Sequence, residues 1–148
     1  MTRLLLAPLL LVPLALGVSP APSDEHAAVE AAVRDYVEAL YLVKPERIER
    51  SVHPALEKIG LYRPPESGAY RTPGKMTFEQ LRELAGAWNK DGREGQDLPY
   101  QIQVLDVLDV TASAKLTAKW GVDHMHLAKQ GDQWKIVQIL WQSPPPAR

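Results

Sequence analysis

The spacing of apolar residues changes once along this chain, and that change constrains the fold more than any other feature. Before Asn89, apolar side chains recur every three or four positions, which is typical of amphipathic helices. After Pro99 they recur at every second position, which is typical of strands with a buried face. This order predicts an α+β domain in which three N-terminal helices pack on a curved antiparallel sheet.

Three segments carry the helical spacing. The first helix is predicted over residues 24–42, where the apolar residues form one stripe. The second is expected to begin at Pro45 and to kink or end near His53, because Pro54 removes a backbone hydrogen bond. The third follows Thr77, which can cap its first turn. A short link between the first two helices favours an antiparallel pair.

The strands are expected in five places. These are residues 60–63, 69–71, 100–108, 112–129 and 134–141. The strand at 100–108 is apolar on both faces, so a covering partner is expected on each side. The run from 112 to 129 is interpreted as one strand that bends at a bulge at Gly121. Because a bulge shifts the alternation, the directions of the side chains after Gly121 stay open.

The N-terminus is typical of an export signal. Arg3 precedes a short apolar run, and small residues place the expected cleavage after Gly17. The run is short for a membrane span of about 20 residues, which favours a cleaved signal over an uncleaved anchor, so no stable membrane insertion is expected after cleavage. The predicted organisation is a signal peptide at 1–17, a flexible lead at 18–23, one domain at 24–142 and a Pro-rich tail at 143–148. The protein is therefore expected to be exported, either to the periplasm or out of the cell.

Charge and composition exclude several classes of protein. The chain has 17 Lys and Arg residues against 18 Asp and Glu residues, so no strongly basic face for nucleic acid is expected. It contains no cysteine, which excludes disulfides, thiolate nucleophiles, zinc–thiolate sites and an N-terminal lipid anchor. Motifs for phosphate, dinucleotide or zinc-protease chemistry are also missing from the sequence.

Two blocks of sequence resemble a known family. One block is DYVEALY at 35–41 followed by RSVHPAL at 50–56. The other runs from ASAKL at 112–116 through DHMHLAK at 123–129 to the strand at 134–141. Together they resemble the putative lumazine-binding family of the nuclear transport factor 2-like superfamily. The resemblance implies a cone-shaped fold, an apolar cavity between sheet and helices, and commonly a homodimer built on the open sheet face. It implies no cofactor.

Four aromatic residues are the candidates for lining that cavity, which is the default ligand site in a fold of this kind. They are Tyr36, Tyr41, Trp120 and Trp141. Their rings could stack on a flat heterocycle, although aromatic residues more often serve only as core.

His53 and Asp123 are the candidates for acid–base catalysis. His53 follows a helix end and could act as a base near neutral pH, or it could simply be a structural residue. Asp123 would be a perturbed carboxylate if it pointed inward and a solvated charge if it pointed outward. Both belong to positions that recur in the family.

His124 and His126 lie two apart on a strand, so both face the same side. With His53 they could supply three metal ligands, but no carboxylate accompanies them in register, so no metal site is predicted. They are retained as candidates for ligand contact or for an interface. His126 matches a recurrent family position, whereas His124 replaces the aromatic residue expected there.

Three functions remain open from the sequence. The leading interpretation is a protein that binds a small, flat, largely apolar molecule in the cavity. The second is a proton-transfer enzyme, of isomerase or dehydratase type, using His53 and Asp123 with Tyr36 or Tyr41 as a hydrogen-bond donor. The third is an envelope protein that binds a partner through its open sheet face, with a vestigial cavity. A proton-transfer pair requires the two side chains to converge in one cavity.

Overall fold

The computed structural model describes residues 24–145 except 67, 73, 96 and 98. The signal peptide and the flexible lead predicted at 1–23 lie outside the described residues, as do residues 146–148 of the Pro-rich tail. Within the part of the chain that is described, no helix combines the length and the apolar character that crossing a bilayer requires.

The helices precede most of the strands, as the change in apolar spacing predicts. The described elements, in chain order, are α1 (Asp24–Tyr41), α2 (Glu46–Ser51), β1 (Val52–Leu61), β2 (Lys75–Met76), α3 (Phe78–Ala87), β3 (Gln101–Val107), β4 (Thr111–Ala118), β5 (Gly121–Gln130) and β6 (Gln133–Gln142). The third helix begins as predicted, because Thr77 and Gln80 form a reciprocal capping box at its N-terminus.

All six described strands form one sheet in the order β2–β1–β6–β5–β4–β3. The strands pair antiparallel except for β1 and β6, which run parallel. The prediction of an α+β domain with helices on a curved sheet is confirmed, but the sheet is mixed rather than purely antiparallel. β1 and β6 are far apart in the chain and are not joined by a hairpin. No tight turn therefore forces these two strands to run antiparallel.

The second helix ends close to His53, where Pro54 is expected to kink or end it, but the apolar spacing that continues beyond this point belongs to a strand. The helix ends at Ser51, and β1 begins at once with Val52 and continues through Leu61. Apolar residues four apart are in phase with a strand as well as with a helix, so the spacing from Val52 to Leu56 could not separate the two. Pro54 lies where the pairing of β1 with β6 shifts register. The backbone N–H that proline lacks is therefore not missing from a regular pair of the ladder.

The expected single strand at 112–129 is a hairpin. Ala118 pairs with Gly121 across a two-residue turn, so β4 and β5 run antiparallel and Gly121 is not a mid-strand bulge. Gly121 adopts a φ of 133°, and a Cβ there would lie 1.9 Å from the carbonyl oxygen of Gln142. Lys119 and Trp120 are the two residues of the turn. Gly121 therefore lies one position after the turn and not within it.

The core lies between the helices and the inner face of the sheet. Buried residues of α1 pack in one cluster with the inward side chains of the long strands. The largest buried side chains include Tyr36, Tyr41, Leu116, Met125, Leu127 and Ile136. The other face of β3 is not covered within the described part of the chain, because Leu105 is 51% exposed. The sheet therefore has one closed face and one open face.

Candidate functional site

A cavity of about 270 Å³ lies between the helices and the inner face of the sheet. Its walls come from α1, α3 and three strands, and aromatic rings make up half of the lining residues. The lining residues are Tyr36, Leu40, Lys58, Met76, Leu84, Trp88, Trp120 and Trp141. Because most of these side chains are apolar, the single ammonium group of Lys58 stands out as the charged feature of the wall.

Asp123 is completely buried behind three of the lining residues, which it contacts. It projects from the inner face of β5, directly opposite Trp141 of β6. The indole Nε1 of Trp120 donates a hydrogen bond of 2.7 Å to Asp123 Oδ2, and the hydroxyl of Tyr36 donates to the same oxygen over 3.5 Å. The structure therefore decides the direction that the sequence left open, and Asp123 points inward.

Lys58 is the counterion of that carboxylate. It projects from β1, and its Nζ lies 3.7 Å from Asp123 Oδ1 with 10% of its side chain exposed. Nζ also donates a hydrogen bond of 2.6 Å to the hydroxyl of Tyr36. No hydrogen-bond partner of Asp123 Oδ1 is found among the described residues, and Lys58 forms an ion pair with this oxygen.

Burial and charge shift two acidities in this cluster. Burial raises the pKa of Asp123, while Lys58, Trp120 and Tyr36 oppose that rise by stabilising the carboxylate. Burial, together with the neighbouring carboxylate, raises the pKa of Tyr36 well above its ordinary value. Tyr36 therefore keeps its proton and remains a hydroxyl donor at physiological pH.

Lys58 is a site residue that the apolar spacing of the sequence did not reveal. A helix extended past Val52 would place Lys58 on a polar surface. A strand places Lys58 on the same face as Leu56 and Gly60, because side chains two apart share a face. A lysine between inward positions of a strand is the signal that could have identified it.

An aromatic cluster supports the wall on the side of α3. The ring of Tyr41 meets Trp88 edge-on at 5.2 Å and Trp120 at a tilt at 5.6 Å, and Trp88 meets Trp120 edge-on at 5.1 Å. Tyr41 stands behind these rings, and its hydroxyl accepts a hydrogen bond of 3.1 Å from the backbone N–H of Lys119. Tyr41 thus holds Trp120 in place rather than lining the cavity itself.

Trp141 closes the opposite side of the cavity. A Cβ on Gly60 would lie 2.4 Å from Cε3 of Trp141, so the indole occupies the space that the glycine leaves free. The Trp141 ring also stacks with the ring of Tyr62, with centroids 6.4 Å apart and ring planes at 8° to each other. Gly60 therefore determines where this wall stands.

The structure does not bring His53 and Asp123 together. His53 lies at the start of β1, where Nδ1 accepts a hydrogen bond of 3.0 Å from the backbone N–H of Ala55. The neighbouring residue Val52 pairs with Ile136 at the start of the β1–β6 ladder, whereas Lys58 pairs with Ile139 further along it. The partners of Asp123 found in the described part of the chain are Lys58, Trp120 and Tyr36, and His53 is not among them, so the convergence that a His53–Asp123 pair needs is not formed.

His124 and His126 lie on the open face of the sheet, away from the cavity. They alternate along β5 with the buried residues Asp123 and Met125, and both are exposed. The ring Nδ1 of His126 lies 2.8 Å from Oε1 of Gln138. Across the described ranges, no three His, Asp or Glu side chains are close enough together to hold a metal ion. Ligand contact by these two histidines would therefore occur outside the cavity.

The fold defines the class of the protein. A nuclear transport factor 2-like protein of unknown function from Silicibacter pomeroyi superimposes with a TM-score of 0.61 at 19% identity, over 77% of this chain and 91% of that chain. One from Shewanella baltica gives a TM-score of 0.61 at 12% identity, over 86% and 100%. A ketosteroid isomerase-like protein from Erwinia carotovora gives 0.52 at 18% identity, over 83% and 98%. The chain thus has the nuclear transport factor 2-like fold.

The sequence defines the family within that class. The sequence profile described as putative lumazine-binding matches residues 24–142, which is nearly the whole described chain. The protein therefore belongs to this family, and the resemblance noted from the sequence is confirmed. No curated protein matches the sequence.

Proposed function

We propose that this protein binds a small, flat, largely apolar molecule in the cavity, with one oxygen atom of that molecule held by Lys58. The cavity carries the proposal. Its volume of about 270 Å³ lies just under the range of about 300–1,000 Å³ that holds drug-sized ligands, which suits a molecule of one or two rings.

The aromatic walls support a flat ligand. Trp88, Trp120 and Trp141 all line the cavity, and their rings offer faces on which a planar molecule can stack. The name of the family refers to lumazine, which is a flat bicyclic heterocycle with ring carbonyl groups. That name and this lining are compatible with each other.

The charge pattern supports one oxygen acceptor on the ligand. Lys58 Nζ carries three N–H groups, of which one reaches Tyr36 and another faces Asp123. The remaining N–H can donate to a carbonyl or hydroxyl oxygen in the cavity. Because Asp123 already balances the charge of Lys58, a neutral ligand suits the site better than an anion.

Calorimetric titration with coumarin tests this proposal, with naphthalene as the flat analogue that lacks oxygen. Coumarin should bind, and naphthalene should bind more weakly. Leu84→Trp fills the cavity from α3 and should abolish coumarin binding. Leu105→Trp makes the same change at an exposed position on the open face and should leave binding intact. Equal loss in both variants, or unchanged binding in Leu84→Trp, would contradict the proposal.

Export is also proposed, and its support is the basic and apolar N-terminus. The protein recovered from the periplasm or the medium should begin at Val18, which intact-mass measurement would show. Recovery of the chain from the cytoplasm with its first 17 residues intact would contradict export.

A homodimer built on the open sheet face is the third proposal. Leu105 and Leu140 are 51% and 50% exposed, and such apolar side chains on an uncovered face favour association. Light scattering should give the mass of a dimer, and Leu140→Asp should shift it to the mass of a monomer. A monomer in the unaltered protein would contradict the proposal.

The two other functions remain predictions. An envelope interaction module would use the same open face. A proton-transfer enzyme would have to work without the His53–Asp123 pair, because these side chains do not meet. Its donors would be Lys58 and Tyr36, which the structure does place beside a buried carboxylate.

A further inference from the structure

Lys58 differs from every other lysine that the structure describes. It is the one buried lysine among the described residues, and it lines an apolar cavity. Lys75 and Lys119 form ion pairs with Glu57 and Glu94 at the surface. A water-poor pocket of this kind is an environment in which a lysine amine can act as a nucleophile toward carbonyl compounds.

We propose that Lys58 forms an imine with the carbonyl group of the ligand, so that the cavity selects small flat aldehydes and ketones. This inference rests on the proposed function, because the ligand must first enter the cavity. It adds a covalent step and a chemical class of ligand.

Asp123 provides the place for the proton that Lys58 must lose. Oδ1 lies 3.7 Å from Nζ and has no hydrogen-bond partner among the described residues, whereas Oδ2 is occupied by Trp120. Transfer of one proton from Nζ to Oδ1 converts two buried charges into two neutral groups. Burial raises the pKa of Asp123, which lowers the cost of placing a proton on its carboxylate.

The reaction balances without any further reactant. The neutral amine of Lys58 attacks the carbonyl carbon, and a proton moves from the nitrogen to the carbonyl oxygen to give a carbinolamine. The proton held by Asp123 then passes to the new hydroxyl group, which leaves as water while the C=N bond forms. Ammonium and carbonyl thus become iminium and water, and the positive charge stays opposite the carboxylate of Asp123.

Tyr36 and the cavity walls would keep the product in place. The hydroxyl of Tyr36 lies 2.6 Å from Nζ, where it orients the amine before attack. Because the side chain of Lys58 is only 10% exposed, water has limited access to the imine. Exposed lysines can form imines too, but water hydrolyses them readily.

Reductive trapping on the full chain tests the inference. Benzaldehyde and sodium cyanoborohydride would be added to the unaltered protein, and the fixed adducts would be located by peptide mass spectrometry. Lys58 should be modified at least about tenfold faster than any exposed lysine, since the cavity holds the aldehyde next to Nζ. Lys58→Arg should remove that adduct, and Lys115→Arg on the open face should not.

Benzyl alcohol separates failure of this inference from failure of the proposed function. It has the same ring but no carbonyl, so it should occupy the cavity in calorimetric titration without forming an adduct. If benzyl alcohol binds while aldehyde modifies only exposed lysines, the imine is wrong and the binding function stands. If neither compound reaches the cavity, both proposals are wrong. The adducts are located on the unaltered protein. The outcome of the test therefore does not depend on whether Lys58→Arg folds.

Discussion

Two neighbouring residues of β5 have opposite surroundings. Asp123 faces inward, is completely buried and contacts Lys58, Tyr36 and Trp120. His124 faces outward and is exposed on the open side of the sheet. Both residues are titratable and both are candidates from the sequence. The difference shows that the alternation of the strand, more than residue type, decides which group can act in a cavity.

The same contrast holds for lysines on the two faces. Lys58 on the inner face is balanced by a buried carboxylate, while Lys115 on the outer face pairs with His124 in the sheet register and meets solvent. A buried charge is tolerated only where a partner compensates for lost hydration. Removing Lys58 therefore leaves a buried charge uncompensated, whereas removing Lys115 does not.

The largest effect is expected from removing one member of the buried pair. Lys58→Met leaves Asp123 ionised without its counterion, which should lower the free energy of unfolding by about 3–5 kcal/mol. Urea denaturation at neutral pH would measure it. Lys115→Met is the matched control and should stay within about 0.5 kcal/mol of the parent. Similar losses in both variants would remove the contrast between the two faces.

The pH dependence of that loss sharpens the comparison. Burial raises the pKa of Asp123, so the folded state holds its proton more tightly than the unfolded state does. Stability from this group therefore falls as pH rises from the unfolded pKa through the folded pKa. Loss of Lys58 raises the folded pKa further, so the penalty of Lys58→Met should be largest at neutral pH and should shrink in acid. Denaturation curves across a pH series would test this, and a constant penalty would contradict it.

The hairpin turn that sets the phase of β5 gives the next effect. Gly121→Ala combines a φ of 133° with a Cβ placed 1.9 Å from a backbone oxygen, so a loss of about 3 kcal/mol is expected. Gly131→Ala is the control, because its φ is 58° but nothing lies within 4 Å of the added Cβ. Its loss should be about 1–2 kcal/mol, from backbone strain alone. Thermal unfolding of both variants would show whether the clash adds to the strain.

A smaller effect on stability, but a clear one on binding, is expected from Gly60→Ala. The new methyl group must push Trp141 toward the cavity, at a cost of about 1–3 kcal/mol, and coumarin should bind roughly tenfold to hundredfold more weakly. Gly86→Ala on α3 is the control, because its Cβ meets only an ordinary contact at 3.9 Å. It should leave binding unchanged and raise stability by up to about 1 kcal/mol. Unaltered coumarin affinity in Gly60→Ala would disprove the role assigned to Trp141.

The smallest effect is expected on the open face. His124→Ala and His126→Ala should each change the free energy of unfolding of the folded subunit by less than about 0.5 kcal/mol. They should also leave the affinity for coumarin unchanged, because neither side chain reaches the cavity. Chemical denaturation and calorimetric titration would check both statements, and a loss of affinity would place the ligand on the wrong face.

The sequence predicted the helices, the sheet and the family because each depends on local spacing or on residue identity. It could not predict the direction of Asp123, because a two-residue turn and a mid-strand bulge leave similar alternation on either side of Gly121. It missed Lys58 because apolar spacing of four is shared by strand and helix between Val52 and Leu56. Two partners of Asp123 are distant in sequence, because Tyr36 lies 87 residues away and Lys58 lies on another strand, so the pairing register had to be known first.

The most direct test is a crystal structure of the protein soaked with coumarin. The ring should lie in the cavity between the tryptophan side chains, with its carbonyl oxygen within about 3.2 Å of Lys58 Nζ. Coumarin bound only on the open face near His126, or a cavity without ligand at saturating concentration, would contradict the proposed function.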